Sequence, residues 1–113
     1  MKEHAWVNEL PAAVTVCDAS GVILEMNERS RTTFAADGGA ALIGTNLLDC
    51  HPGASRAKVE TLLATRLPNC YTIEKRGARK FIFQAPWFDG GVFKGFVEIA
   101  IPTPDEVPHF VRE

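Results

Sequence analysis

The spacing of apolar positions along this chain changes several times, and each change marks an element. From Ala13 to Cys17, and again from Val22 to Met26, β-branched and apolar residues dominate two short runs separated by Asp18, Ala19, Ser20 and Gly21. Asp18 can accept hydrogen bonds from the turn's own backbone, and Gly21 can take a positive φ without steric cost, so the pair predicts an antiparallel hairpin. Asn27 closes the second run, and a short helix over 28–36 is predicted to start on it as a cap and to break at Asp37-Gly38-Gly39. Leu42, Ile43, Leu47 and Leu48, placed around Gly44, predict two single-turn helices joined by that glycine.

One helix is long by its pattern. Over 54–67, Val59, Leu62, Leu63 and Leu67 fall on one face while Arg56, Lys58 and Glu60 fall elsewhere, and Pro68-Asn69 ends it. The last third alternates instead. Tyr71 and Ile73 oppose Thr72 and Glu74, Gly77 turns the chain, and a strand over 79–88 sets Phe81, Phe83, Ala85 and Trp87 against Ile82, Pro86 and Phe88. Asp89-Gly90-Gly91 predicts a second hairpin turn into a strand over 92–101, with Val97, Ile99 and Ile101 on one side. Neither face of the strand over 79–88 reads as solvated, so one face serves the core and the other needs a cover. Ahead of the first strand, Trp6, Val7 and Leu10 predict an amphipathic helix stopped by Pro11, with a frayed leader as the alternative. The expected division is a helix or leader over 1–10, a domain over 11–102 and an irregular tail over 103–113, where Pro104 and Pro108 interrupt any regular element. Two strands, short helices, one longer helix and three more strands make an α+β fold, a single antiparallel sheet of about five strands covered on one face.

Composition narrows the function classes. A chain of 113 residues that is 46% hydrophobic and 23% charged is one ordinary globular domain with enough core to fold without metal or disulfides. Its net charge of -2 offers no polybasic surface for a phosphate backbone, so direct nucleic-acid binding is not expected. Cys17, Cys50 and Cys70 form no C-x-x-C pair and no zinc-ligand spacing, and an odd, unframed set suits a reducing compartment. Without a signal-peptide core or a run long enough to cross a bilayer, a cytoplasmic protein without membrane contact is expected.

The Asp18-x-x-Gly21 turn, the strand with Ile23 that ends in Asn27, the segment Leu42 to Leu48, and the final hairpin around Asp89 and Gly95 together resemble a PAS domain. No single motif is specific; their order and spacing carry the resemblance. It implies a non-enzymatic sensory domain, found in transcription regulation and two-component signalling, whose short helices admit a small ligand. It also implies a homodimer that docks through the N-terminal helix and the outer sheet face, or a signalling protein in that place. PAS domains commonly pass their signal through a helical linker to a kinase, cyclase or DNA-binding domain. Here the chain closes on Ile101-Pro102-Thr103-Pro104-Asp105, so a fragment or a free-standing partner protein is expected.

Met26, Phe34, Leu42, Leu47, Tyr71, Phe83, Trp87 and Val97 are the residues expected around the space between sheet and helices, with Thr15, Asn46, Tyr71 and Trp87 as polar contacts. They line either a pocket for a small apolar or aromatic ligand or a solid core, and the second alternative is a ligand-free dimerisation module. His51, just before the long helix, is where some PAS domains place a haem ligand; the plainer reading is that His51-Pro52 shapes the turn. Cys50-His51 has no third residue placed to orient an imidazole, so a Cys/His hydrolase is not expected. In the flavin-binding light sensors of the family a cysteine follows a Gly-x-Asn triplet. Leu47 follows Gly44-Thr45-Asn46 here and cannot form the adduct, and Cys50 is expected to face elsewhere, which leaves only non-covalent flavin. Ser55-Arg56-Ala57-Lys58 lacks the partner motifs of penicillin-recognising enzymes, and neither Gly38-Gly39 nor Gly90-Gly91 is followed by the Lys-Ser/Thr of a phosphate loop.

Overall fold

A computed structural model describes residues 5–51 and 53–113. Pro52 and the start of the expected N-terminal helix, residues 1–4, lie outside the described residues. Helix α1 (Ala5–Asn8) precedes β1 (Ala13–Asp18) and β2 (Ile23–Met26); α2 (Glu28–Thr33) leads through two 3-10 turns, Ala35–Asp37 and Gly39–Leu42, to α3 (Leu47–Cys50) and α4 (Ala54–Thr65). Three longer strands complete the chain, β3 (Asn69–Lys75), β4 (Ala78–Asp89) and β5 (Val92–Thr103). All five strands form one antiparallel sheet in the order β2-β1-β5-β4-β3, so the last strand inserts beside the first.

The opening turn forms by the chemistry its residues carry. Asp18 Oδ1 accepts from the amides of Ser20 and Val22, each at 2.9 Å, and Gly21 stands at φ 91°. A side chain at Gly21 would also press on Asn46 Oδ1 at 2.9 Å, and the Gly21 carbonyl accepts from Leu47 N at 2.8 Å, so this turn seats the start of α3. At Gly95 a Cβ would overlap the Cys17 carbonyl. That carbonyl accepts the Trp87 indole N–H at 3.0 Å, so the indole reaches across β5 over the one residue without a side chain.

Asn27 does more than cap. Its Oδ1 accepts from Ser30 N at 3.0 Å and Val14 N at 2.9 Å, and its Nδ2 donates to the carbonyls of Val7 at 2.9 Å and Ala12 at 2.8 Å. Both donors and both acceptor lone pairs are used in a side chain only 2% exposed, which joins α1, β1 and α2 at one point. Among the described residues the buried apolar ones are few, Ala13, Cys17, Ile23, Met26, Ile82, Phe96 and Ala100 among them.

Helix α4 ends two residues before the pattern predicted. Arg66 takes a left-handed conformation at φ 58° and its amide donates to the Leu62 carbonyl, so Leu67 falls outside the helix and is 62% exposed. Its guanidinium lies 4.4 Å from the centroid of Phe93, which packs edge-on against Phe96, tying the end of α4 to the β4–β5 hairpin. No α4 residue is fully buried; Val59, Leu62 and Leu63 are half-buried because a cavity lies between them and the sheet.

Candidate functional site

Register decides which strand residues face the helices. Thr15 pairs with Glu98, which pairs with Gln84, which pairs with Asn69; the rungs beside it bring Cys17, Phe96 and Pro86 together, and Ala13, Ala100, Ile82 and Tyr71. These alternate positions form the inner face. The helices cross it from α2, whose Ser30 hydroxyl meets Thr15 Oγ1 at 2.6 Å, to α4, and they leave a cavity of about 400 Å³. Thr15, Cys17, Gln84, Phe96 and Glu98 make its floor, Ile23 and Met26 one wall, and Val59, Leu62 and Leu63 its roof. Phe34, Asp37, Leu42, Leu47, Cys50 and His51 close the remaining side.

Met26, Phe34, Leu42, Leu47, Val97 and His51, expected from the sequence, are therefore brought together. Val97 takes part from the strand backbone, because its register partner is Val16 and the side chains of Phe96 and Glu98 are the ones directed inward. Phe83 and Trp87 are not at the site. They share the outer face with Phe81 and Ala85, and Phe83 is 37% exposed. Tyr71 is on the inner face but on the edge strand β3, beyond the cavity and 44% exposed; burial of its ring first, and the Glu98 carboxylate second, push its phenol above the ordinary value of 10.0. Asn46 is spent on structure: its Oδ1 accepts from Leu48 N at 2.9 Å and its Nδ2 donates to the Ser20 carbonyl at 3.0 Å. Cys50, expected to face elsewhere than Leu47, lines the cavity with it, since residues three apart share a helix face.

Gln84, Glu98, Phe96 and the α4 leucines were absent from the expected pocket. The strand over 79–88 is apolar on both faces, and its more aromatic face invited assignment to the interior. A usable signal lay in β1, where Thr15 and Cys17 alternate with Val14 and Val16 and must share a face with whatever pairs to them. Among the described residues no group of three metal-ligating side chains converges. Cys17 is 2% exposed and burial pushes its thiol above the ordinary 9.0, the reverse of an activated nucleophile. His51 Nδ1 lies 2.6 Å from the Leu47 carbonyl, which selects the tautomer protonated there.

A five-stranded antiparallel sheet whose inner face supports a run of short helices over a ligand-sized space is the arrangement of a small sensory α+β domain. The sequence matches the family model described as the PAS fold over residues 7–70, and the chain belongs to that family. No curated protein matches it. Among solved structures, a C-terminal domain from Streptococcus mutans superposes with a TM-score of 0.71 at 19% identity, covering 86% of this chain and 79% of that one. The PAS domain of Bordetella pertussis BvgS gives 0.68 at 21% identity over 92% of this chain and 85% of its own. The Aer2 receptor of Vibrio cholerae, a dual PAS-haem oxygen sensor, gives 0.63 at 18% identity over 82% and 95%. At these identities the likeness is one of fold.

Proposed function

We propose that this PAS domain is a ligand sensor: a small apolar or aromatic molecule occupies the space under α4, and occupancy changes how the helices sit on the sheet. The observation that carries this reading is the cavity itself. About 400 Å³ lies within the range of small-molecule sites, in a domain that buries few apolar side chains among the described residues. A ligand shifts such a packing equilibrium only by binding one arrangement more tightly, and α4 is suited to that because it contacts the sheet through its Arg66 end while its middle stands off. The outer sheet face, with α1, is where a second copy or a signalling partner would read the change. Residues 11–102 would form the sensing unit, with the segments on either side serving contacts.

The test is native mass spectrometry of freshly purified protein together with thermal shift against a small-molecule library. Retained mass, or a Tm that rises with compound concentration and no longer rises in Leu62→Trp, is the expected result. Bare-chain mass and a Tm indifferent to every compound would leave a ligand-free dimerisation module. His51 supports a second reading. Its Nδ1 is engaged by the Leu47 carbonyl, the second contact a metal-bound imidazole ordinarily makes, and its ring borders an apolar cavity. His51 would be the residue to hold a haem iron there, but the space sits low in the range for small-molecule sites and would have to open for a porphyrin. A Soret band that is lost in His51→Ala is the outcome that would support it.

A further inference from the structure

We infer that the ligand is a small apolar ring compound bearing a positively charged or N–H nitrogen, held by the Glu98 carboxylate on the cavity floor; this rests on the ligand-sensor reading and deepens it. The floor is not uniformly apolar. One cross-strand row runs through four strands as Asn69, Gln84, Glu98 and Thr15, and its hydrogen bonds have a direction. Asn69 Nδ2 donates to Gln84 Oε1 at 2.9 Å, and Gln84 Nε2 donates to Glu98 Oε2 at 2.8 Å. Each amide passes its donor toward the carboxylate, so the row polarises toward Glu98 and holds it in place.

Thr15, the next residue of the row, turns its hydroxyl to Ser30. Among the described residues Gln84 is therefore the one side chain that donates to Glu98, while an ionised carboxylate offers about four acceptor positions. Glu98 is half-buried and lines the cavity with acceptor capacity that Gln84 does not use. Burying that surface beneath a purely apolar molecule would strip water from it without replacement, which is costly. The charges around the cavity agree. Its lining contains two carboxylates, Asp37 and Glu98, and a histidine, and among the described residues neither lysine nor arginine. An anionic ligand would meet like charge at the floor, whereas an amine, amidine or N–H heterocycle would meet a preformed acceptor with apolar walls for its ring.

Three probes of matched shape test this: 2-phenylethylamine, n-propylbenzene and 3-phenylpropionate, titrated by calorimetry and by amide chemical shifts against the wild type, Glu98→Gln and Glu74→Gln. Glutamine can still accept from Gln84, so Glu98→Gln keeps the row while removing the charge; Glu74, on β3, lies outside the cavity lining. The amine is expected to bind at least about tenfold more tightly than either other probe, shifting the amides of Thr15, Gln84 and Phe96. Glu98→Gln should erase that advantage by weakening the amine, with the hydrocarbon binding at least as tightly as before because a neutral amide costs less to cover than a carboxylate, and Glu74→Gln should change nothing. Equal binding of amine and hydrocarbon, a preference for the carboxylate, or an amine preference that survives Glu98→Gln would overturn the inference and leave the cavity reading standing. Failure of all three probes to bind would overturn both.

Discussion

Cys17 and Tyr71 show how one fold treats two titratable groups. The Cys17 thiol is buried in the cavity floor, and loss of water is the largest cause of its raised pKa; the Phe96 backbone opposes this by hydrogen bonding and Asp18 adds to it. Tyr71 is moved the same way by burial and by Glu98. Both groups are neutral when protonated, so the folded chain releases these protons at higher pH than the unfolded chain. Above pH 9.0 the unfolded state therefore binds fewer protons, and stability falls as pH rises. Denaturant melts from pH 8 to 11 should show this decline, with a limiting slope of about 1.4 kcal/mol per pH unit for the single thiol proton. Cys17→Ala should be flatter between pH 9 and 10, and an unchanged slope in that variant would refute the assignment.

Between elements, Asn27 is the junction on which the N-terminal segment depends. A side chain that caps α2, holds the Val14 amide and clasps the carbonyls of Val7 and Ala12 leaves four polar groups stranded when removed. Arg31 reinforces the clasp, donating to the Met26 carbonyl at 2.6 Å and to Asn8 Oδ1 at 3.3 Å. Asn27→Ala should cost about 3 kcal/mol, with a Tm lowered by about 10 °C or more. Asn27→Asp separates the two roles. Its oxygens still accept from Ser30 and Val14, but both donors are gone, so hydrogen exchange should accelerate across residues 7–12 while α2 stays protected. Equal protection of both segments in Asn27→Asp would show that other contacts hold α1.

The molecule as a whole presents an apolar face that nothing in the described chain fully covers. Phe83 and Ile101 on the outer side of the sheet are 37% and 41% exposed, beside half-buried Phe81, Trp87 and Ile99, and Trp6 on α1 is 73% exposed. We propose this face as a contact surface, since exposed apolar patches on small domains commonly serve one. A homodimer through this face and α1 is the expected state, and it needs roughly 1,000 Å² or more of buried area to be stable. Sedimentation equilibrium at tens of micromolar should give twice the chain mass, and Phe83→Lys should shift it to the monomer with its secondary structure intact. A wild type that stays monomeric would leave the face to a different protein.

Local chemistry was enough to place every strand to within a residue or two, since turns such as Asp18-to-Gly21 and Gly90-Gly91 act over a few bonds and alternation acts along one strand. It also set the asparagine at the start of α2 and the apolar side of α4. Which face of the sheet lies inward was beyond it. Val14, Val16, Phe81, Phe83 and Trp87 are as apolar as residues of a core, and hydrophobicity alone does not distinguish a face that waits for a partner from one that is filled. Pairing of β5 between β1 and β4 made that choice, bringing Thr15, Glu98, Gln84 and Asn69 into one row although they lie 83 positions apart at the extremes of Thr15 and Glu98. The same long-range pairing placed four-bonded Asn27 under α1 and set α4 away from the sheet. A pattern in one dimension records what each residue prefers; the cavity and its polar floor arise from which distant residues the sheet makes neighbours.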